Sequence, residues 1–288
     1  MGYEYCTLCP RECRVDRTAG KTGFCGCPPV ALVAKTMLHG WEEPVLAPNG
    51  CSGAIFFGGC TMGCSYCQNG AISKKPVGIP IESRLLRLIM EDLIGQGAEN
   101  IDLITPTQYL PTILPALEKP LPVPVIYNSG GYERPETLEA LRGKVDVFLP
   151  DYKYSDDALG KKLSGVDHYH HVAESTIKKM YDLVGDPQYE GGKLVKGVIV
   201  RHLILPGHVD NSLKVLDTLG EMFKPGQILV SLMRQYTPMP GMEPPLDRPI
   251  TDEEYEAVLS WMYLNNLEGF TQEKTSSNRV FIPDFSIF

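Results

Sequence analysis

Six short apolar runs, separated by helical stretches, constrain the fold of this 288-residue chain more than any other feature. They lie at residues 54–57, 101–104, 123–127, 145–149, 198–204 and 228–232. Near-continuous runs of Val, Ile, Leu and Phe are typical of parallel strands that are covered on both faces. Six rounds of strand and helix therefore predict an α/β fold, either an open sheet or a partial barrel short of eight strands.

Helix signals lie between these runs. Ile81, Leu85, Leu88 and Ile89 have the spacing of one apolar helix face, so we expect them to be buried. Residues 251–254, Thr-Asp-Glu-Glu, have the form of a capping box, in which the first and last side chains each bond the other's backbone. A helix is therefore predicted to begin directly after residue 251.

Charge and hydropathy exclude some classes of function. The formal net charge is −8, which gives no global basic field for nucleic acid, so nucleic acid is not an expected partner. The longest apolar stretches are far short of the roughly 20 residues that a membrane span needs. The first residues lack the charged and apolar regions of a signal peptide. We therefore expect a cytoplasmic protein without a membrane partner.

The nine cysteines all lie in the first quarter of the chain. A disulfide framework would staple the whole fold and belongs to oxidising compartments. The odd count and the tight clustering instead favour metal or cluster ligation. Cys51 precedes the first strand and is interpreted as a core thiol.

The sequence after the first apolar run is GGCTMGCSYCQN, residues 58–69. Cys60, Cys64 and Cys67 have C-x3-C-x2-C spacing, with Tyr66 before the last of them. Three thiolates in a short loop can ligate three irons of a [4Fe-4S] cluster and leave the fourth iron open. The amino and carboxylate groups of S-adenosylmethionine (SAM) can occupy an open iron. One electron would then cleave SAM to methionine and a 5′-deoxyadenosyl radical. Structural zinc, which prefers four ligands, fits this loop less well.

These features resemble the radical SAM superfamily and, within it, the branch named for homology to pyruvate formate-lyase activating enzymes. Further matching segments are residues 6–13 (CTLCPREC), 41–44 (WEEP), 103–107 (LITPT), 151–154 (DYKY), 201–207 (RHLILPG) and 235–238 (QYTP). The resemblance covers nearly the whole chain. It implies an anaerobic oxidoreductase with a (β/α)6 partial TIM barrel over residues 51–288, a [4Fe-4S] cluster and SAM. It also implies an electron donor such as flavodoxin or ferredoxin.

Polar residues at the carboxyl ends of the strands are candidates for the SAM site, because sites of such barrels gather there. The second strand is followed by Thr105 and Thr107, where the superfamily usually has Gly-Gly-Glu for the SAM amino group. This chain departs from that pattern, although hydroxyls and carbonyls there could still accept from an ammonium. Asn128 ends the third strand and suits the ribose or methionine part.

The later strand ends carry charged candidates. The resemblance implies that Asp151 serves the ribose hydroxyls and Lys153 the SAM carboxylate. Arg201 could pair that carboxylate in a bidentate way. Arg201 and His202 alternate across one strand, so only one of them is expected to face inward. The predicted cofactor-binding residues are thus Cys60, Cys64, Tyr66, Cys67, Thr105, Thr107, Asn128, Asp151, Lys153, Arg201 and His202; no catalytic residue is assigned.

Residues 1–50 are predicted to be a loop-like, Cys-rich appendage that binds a metal or cluster. Cys6, Cys9, Cys13 and Cys25 could hold zinc or a second iron–sulfur cluster, with Cys27 as a competing fourth ligand. The alternative is a set of reduced, buried thiols.

Three other segments have weaker interpretations. Residues 41–44 either line the substrate side or pack a loop onto the barrel through Trp41. Residues 168–171, His-Tyr-His-His, are interpreted as a solvated helix end rather than a metal site. Residues 280–283 are expected to form a terminal strand or core plug.

The leading hypothesis is an enzyme that abstracts hydrogen from an unactivated carbon. Its namesake activity would install a glycyl radical in a partner enzyme such as pyruvate formate-lyase. Radical modification of another protein, a peptide or a small molecule is the alternative. A protein of a different class, which would bind zinc or store electrons without catalysis, is the rival interpretation.

Overall fold

The computed structural model describes residues 2–272 and residue 285. Its strands are β1 (Ala31–His39), β2 (Cys51–Phe57), β3 (Ile79–Ile81), β4 (Ala98–Ile104), β5 (Val125–Ser129), β6 (Val147–Pro150), β7 (Gln188–Glu190), β8 (Lys193–Leu203), β9 (Leu229–Met233) and β10 (Gly269–Thr271). Its helices are α1 (Gly70–Ser73), α2 (Ser83–Gly95), α3 (Leu110–Ala116), α4 (Pro135–Glu139), α5 (Asp157–Ser164), α6 (Tyr169–Val184), α7 (Val209–Met222) and α8 (Asp252–Leu264). The tail predicted at residues 280–283 lies outside the described residues.

The strands form one sheet in the order β10-β9-β8-β6-β5-β4-β2-β1-β3, with β7 paired to β8. Strands β2, β4, β5, β6, β8 and β9 pair in parallel, and they correspond to the six apolar runs. Helices connect each of these strands to the next. The prediction of an α/β fold with a parallel sheet is therefore confirmed, and its closure into a partial barrel stays a prediction.

The prediction that residues 1–50 are loop-like is wrong for part of the segment. Strand β1 pairs antiparallel with β2, from Val33 opposite Phe57 to His39 opposite Ser52. Strand β3 pairs with the other edge of β1. A domain boundary at residue 50 would separate two paired strands. The polar residues in β1 interrupt its apolar pattern, and this hides it in the sequence.

The first 30 residues are attached to the sheet through buried polar contacts. The side chain of Arg17 is 1% exposed and donates to the backbone oxygens of Cys27 at 2.9 Å and Gln108 at 2.7 Å. The Tyr3 hydroxyl lies 2.7 Å from that of Thr112 in α3. A buried guanidinium needs such acceptors, and they fix this segment against the region after β4.

Helix α2 buries a different face from the predicted one. Leu86, Met90 and Leu93 are buried, whereas Leu85 and Leu88 are 47% and 50% exposed. Ile81 is buried as predicted, but it belongs to β3 and not to the helix. Apolar residues lie on more than one side of α2, so spacing alone does not select the buried stripe. Helix α2 packs against α3 and β4 through the stripe that contains Leu86.

The predicted capping box is present. The Thr251 hydroxyl accepts from the Glu254 backbone N–H at 3.2 Å, and Glu254 accepts from the Thr251 N–H at 2.8 Å. Arg248 also donates to Glu254, so the first turn of α8 is fixed to the preceding loop. In the part of the chain that the structure describes, no helix is long and apolar enough to cross a membrane.

Truncation of two neighbouring leucines of α2 tests which face is buried. Leu86→Ala should lower the free energy of unfolding by about 2–5 kcal/mol, because it removes buried methyl groups and leaves a cavity. Leu88→Ala, the matched control, should change it by less than about 0.5 kcal/mol, because that side chain is half exposed. Urea unfolding followed by circular dichroism measures both. A larger effect at Leu88 would support the face predicted from spacing.

Candidate active site

A cavity of about 590 Å³ lies at the carboxyl ends of the six parallel strands. Each strand contributes at least one lining residue from its end or from the segment that follows it. One residue from each strand in turn is Phe56, Ile104, Asn128, Asp151, Arg201 and Ser231. Parallel pairing aligns these ends, so residues far apart in the sequence meet in one cavity.

Cys60, Cys64 and Cys67 all line this cavity. Each sulfur accepts one hydrogen bond. The donors are Met62 N–H at 3.4 Å for Cys60, Ser164 Oγ at 2.9 Å for Cys64 and Ser73 Oγ at 3.2 Å for Cys67. Such donors stabilise thiolates.

Without a metal, burial favours the thiol forms of Cys60 and Cys64. Burial, and then repulsion from Cys64 and Cys67, raises the pKa of Cys60. Burial likewise raises the pKa of Cys64. A bound metal would reverse this preference, since metal ligation requires deprotonated sulfur.

Tyr66 is connected to Cys64 by a line of hydroxyl groups. Its hydroxyl lies 2.6 Å from that of Tyr154, which lies 2.6 Å from Ser164 Oγ. Because Ser164 donates its only proton to Cys64, it accepts from Tyr154, and Tyr154 in turn accepts from Tyr66. Sequence reasoning missed Ser164, and spacing gives no signal for it, since it lies 100 residues after Cys64.

A network of charged and polar side chains crosses the neighbouring strand ends. Arg201 donates through Nε to Asp151 at 2.9 Å and through Nη2 to Asn128 Oδ1 at 2.6 Å. The Lys153 ammonium donates to the other oxygen of Asp151. Burial alone would raise the pKa of Asp151, but Arg201 and Lys153 outweigh burial and lower it. Asp151 is therefore a paired, ionised carboxylate in the cavity wall.

Thr105 lines the cavity, but Thr107 does not. The backbone of Thr105 has φ of 58°, in the left-handed region, and the chain then enters a short 3-10 turn at residues 107–109. That bend buries Thr107, whose hydroxyl donates to Glu133 at 2.8 Å and accepts from Tyr127 at 3.1 Å. The Thr105 carbonyl already accepts from Gln108 at 2.8 Å. The predicted cofactor contact is therefore not supported at Thr107.

His202 also lies away from the cavity. Its side chain is fully buried, with Nδ1 at 2.7 Å from the Tyr152 carbonyl and Nε2 at 2.8 Å from Ser212 Oγ. Burial lowers its pKa to about 4, so the ring is neutral near pH 7. The expectation that only one of two neighbours faces inward is correct, and the inward residue is Arg201. His202 joins β8 to α7 instead of serving a ligand.

The N-terminal cysteines surround a separate, small pocket. Its lining includes Cys6, Cys9, Cys13 and Cys25, and Cys27 lies outside it. The Cys27 thiol instead contacts the carbonyls of Cys25 and Gly58, at 3.3 and 3.8 Å. Of the two competing fourth ligands, Cys25 is therefore the one that shares a pocket with the other three.

The thiols of this pocket differ in acidity. Burial raises the pKa of Cys9 to about 12, whereas a hydrogen bond from Cys27 lowers that of Cys25 to about 6. Over residues 2–272 and 285, no three His, Cys, Asp or Glu side chains converge on one ion position. Zinc or a second cluster at the N-terminal cysteines therefore stays a prediction. The pocket adjoins the cysteine loop, since Arg11 donates to the Thr61 carbonyl at 2.6 Å.

The segment of residues 41–44 reaches the main cavity. Trp41, Glu42 and Glu43 line it, and the Trp41 ring meets that of His39 edge-on at 5.6 Å. The His-Tyr-His-His segment was predicted to be a solvated helix end. Its first and last side chains, at residues 168 and 171, are 82% and 84% exposed. His170 is half-buried and lies 2.7 Å from the Tyr152 hydroxyl.

No family model matches the chain. It is 30% identical over 279 residues to the uncharacterized protein MJ0674 of Methanocaldococcus jannaschii, covering 92% of this chain and 76% of that protein.

Solved structures with a similar fold include a protein crystallised with SAM and a radical SAM methyltransferase. Streptococcus suis SuiB bound to SAM superposes with a TM-score of 0.54 at 13% identity, covering 75% of this chain and 48% of SuiB. A radical SAM methyltransferase from Sphaerobacter thermophilus gives 0.53 at 13% identity, covering 77% of this chain and 66% of that one. A spore photoproduct lyase variant gives 0.52 at 10% identity, with coverage of 83% and 80%. The chain thus has the fold of these proteins, although it spans about half the length of SuiB.

The role of His202 is tested through the pH dependence of stability. Its pKa is about 4 when folded and about 6.5 when unfolded, so it contributes about 3 kcal/mol above pH 6.5 that is lost as pH falls to 4. His202→Asn should therefore have a shallower decrease in the free energy of unfolding over that window than the unsubstituted protein. The exposed His171→Asn is the control and should keep the original slope. Equal slopes in all three proteins would contradict a buried, neutral His202.

Proposed function

We propose that this chain, which belongs to the same protein family as the uncharacterized protein MJ0674 of Methanocaldococcus jannaschii, is a radical SAM enzyme. One observation carries the proposal: Cys60, Cys64 and Cys67 open into the same cavity as the network of Asp151 with Lys153 and Arg201. A cluster site and a site for a charged, polar cosubstrate are therefore adjacent. The fold shared with solved radical SAM enzymes supports this.

The residues present fit the cofactors. The three sulfurs of the cysteine loop are soft ligands that suit iron–sulfur clusters, and each already receives a stabilising hydrogen bond. Each cubane thiolate binds a different iron, so these side chains need not converge on one point. When bound, a [4Fe-4S] cluster and SAM supply a one-electron cleavage that gives a 5′-deoxyadenosyl radical for hydrogen abstraction.

The strand-end residues would orient SAM. Arg201 uses Nε and Nη2 on Asp151 and Asn128, and a guanidinium has five N–H donors, so donors are left for a carboxylate. Lys153 adds a second cation beside Cys64. Asp151 is ionised and can accept from ribose hydroxyls. The set therefore provides partners for the carboxylate and for the ribose of SAM.

Apolar side chains would keep water from the reacting groups. Met62, Tyr66, Phe56 and Met233 line the cavity, and each is less than one-tenth exposed. The Gly130 backbone approaches Met62 so closely that a Cβ at Gly130 would lie 2.6 Å from its sulfur. Exclusion of water protects a reactive radical from side reactions.

The first candidate substrate is a glycyl radical enzyme. Activation of a glycyl radical enzyme is the namesake activity of the branch that the sequence resembles. Modification of another protein, a peptide or a small molecule is the alternative, and SuiB has been crystallised with its precursor peptide SuiA. Electrons would come from a donor such as flavodoxin or ferredoxin. The non-catalytic rival is a zinc or electron-storage protein.

Cysteine substitutions with a SAM-cleavage assay test the proposal. Anaerobically reconstituted, dithionite-reduced protein should convert SAM to 5′-deoxyadenosine, measured by liquid chromatography. Cys60→Ala should abolish the conversion, because the cluster loses one of its three ligands.

Two other thiols provide controls for that assay. Cys51 and Cys9 lie outside the proposed ligand set of the cluster. Cys51→Ala and Cys9→Ala should therefore retain the conversion of SAM to 5′-deoxyadenosine. Absence of cleavage in the unsubstituted protein, with zinc bound by the cysteine loop, would support the non-catalytic rival. Retained cleavage in Cys60→Ala would equally contradict the proposal.

A further inference from the structure

Three carboxyl groups meet at one side of the main cavity: Glu42 and Glu43 from the segment after β1, and Asp102 from β4. Glu42 and Glu43 line the cavity, and Asp102 lies against Glu42. The Glu42 side chain is 9% exposed and Asp102 is fully buried. Buried carboxyl groups are costly unless they are paired, so a cluster of three requires a physical reason.

Two of these carboxyl groups have buried oxygens without a donor. Asp102 Oδ2 accepts from Asn128 at 3.2 Å, whereas Oδ1 has no hydrogen-bond partner among the described residues. Glu43 Oε2 is likewise buried and lacks a partner in the described part of the chain. Most buried oxygens are satisfied in folded proteins. Eight buried side-chain atoms of the described residues lack a partner, and these two belong to neighbouring carboxyl groups beside the cavity.

The charges around these carboxyl groups do not balance. Arg201 is the nearby cation that attracts all three, but it already pairs with Asp151. His39 lies 3.6 Å from Glu42, and burial lowers its pKa, which disfavours a positive imidazole. The cavity wall therefore has more carboxyl groups than cations.

The pKa values of the three carboxyl groups agree with this excess of carboxyl groups over cations. Burial raises the pKa of Glu42 and of Asp102, and burial with repulsion from Glu42 raises that of Glu43 to about 7. The raised pKa values favour the neutral forms of these groups, and a nearby positive charge would favour the ionised forms.

The carboxyl cluster lies apart from the cysteine loop. The chain leaves β1 at His39, which is opposite Ser52 near the start of β2, whereas the cysteine loop follows the end of β2. Lys153 and Asp151 are the charged groups that adjoin Cys64. Arg201 and Asn128, which are also proposed to serve SAM, lie between the two groups. The three carboxyl groups themselves are not assigned to SAM, so they are candidates for another molecule.

We propose that Glu42 and Glu43, with the carboxyl group of Asp102 behind them, bind a positively charged group of the substrate, an alkylammonium or a guanidinium. This inference rests on the proposed radical SAM function and names its substrate class. A primary ammonium has three N–H donors and a guanidinium five, enough to contact both carboxyl groups that line the cavity. No three carboxylates of the described ranges converge on one ion position, which favours an extended organic cation over a metal ion. A cationic small molecule, or a Lys or Arg side chain of a peptide, would use this cluster; a peptide glycine has no side chain that could.

Binding of n-butylammonium to reconstituted protein with SAM, by anaerobic calorimetry, tests the inference. n-Butylammonium should bind roughly tenfold or more tightly than uncharged n-butanol, as expected for charge-assisted hydrogen bonds. Binding should release protons and tighten from pH 6 to pH 8, because the cation favours ionised Glu43. Equal binding of the two probes, or displacement of n-butylammonium by Mg²⁺, would overturn the inference.

Substitutions locate the effect. Glu43→Gln should reduce the preference for n-butylammonium over n-butanol to less than about threefold, and Asp102→Asn provides a second variant if the first does not fold. Glu256→Gln, an exposed carboxylate of α8, is the matched control and should keep the full preference. An unchanged preference in both cavity variants would also overturn the inference.

The SAM-cleavage assay separates the two proposals. Formation of 5′-deoxyadenosine without any preference for n-butylammonium would refute the cation site alone. A retained preference in a protein that does not cleave SAM would instead refute the radical SAM function.

Discussion

A largely buried carboxylate, 15% exposed, pairs two cations and determines the arrangement of the cavity. Asp151 follows β6 and accepts from Arg201 of β8, which also bonds Asn128 of β5. A charge in this position is tolerated only when it is paired. These contacts therefore hold the ends of β5, β6 and β8 in a fixed arrangement. Lys153, on the same carboxylate, extends the network to Cys64. The same pairing therefore positions the polar wall next to the cysteine loop.

Much of the fold could be predicted because buried parallel strands leave a plain signature in sequence. All six apolar runs are strands, since each is covered on both faces. Strand β1 was hidden by its polar residues, and the buried face of α2 by apolar residues on more than one side. In each case tertiary packing determines which residues are buried. The local spacing of apolar residues does not contain that information.

The site was predictable where spacing or strand position carries the information. The cysteine loop is local, Asp151 and Lys153 follow β6, and Arg201 lies near the end of β8. Thr107 lies outside the cavity because the backbone turns at Thr105. His202 also lies outside it, and the sequence does not reveal this, because alternation shows that neighbours face opposite ways but not which one faces inward. The carboxyl cluster unites residues about 60 positions apart, so only the folded chain brings it together.

In the proposed function, the cysteine loop presents an open iron to SAM beside the Asp151 network. Electron–nuclear double resonance of the reduced, reconstituted protein with SAM labelled at its amino nitrogen with ¹⁵N tests this most directly. The account predicts a ¹⁵N coupling to the cluster that appears with SAM and is missing in Cys60→Ala. A reduced cluster whose spectrum is identical with and without labelled SAM would contradict it.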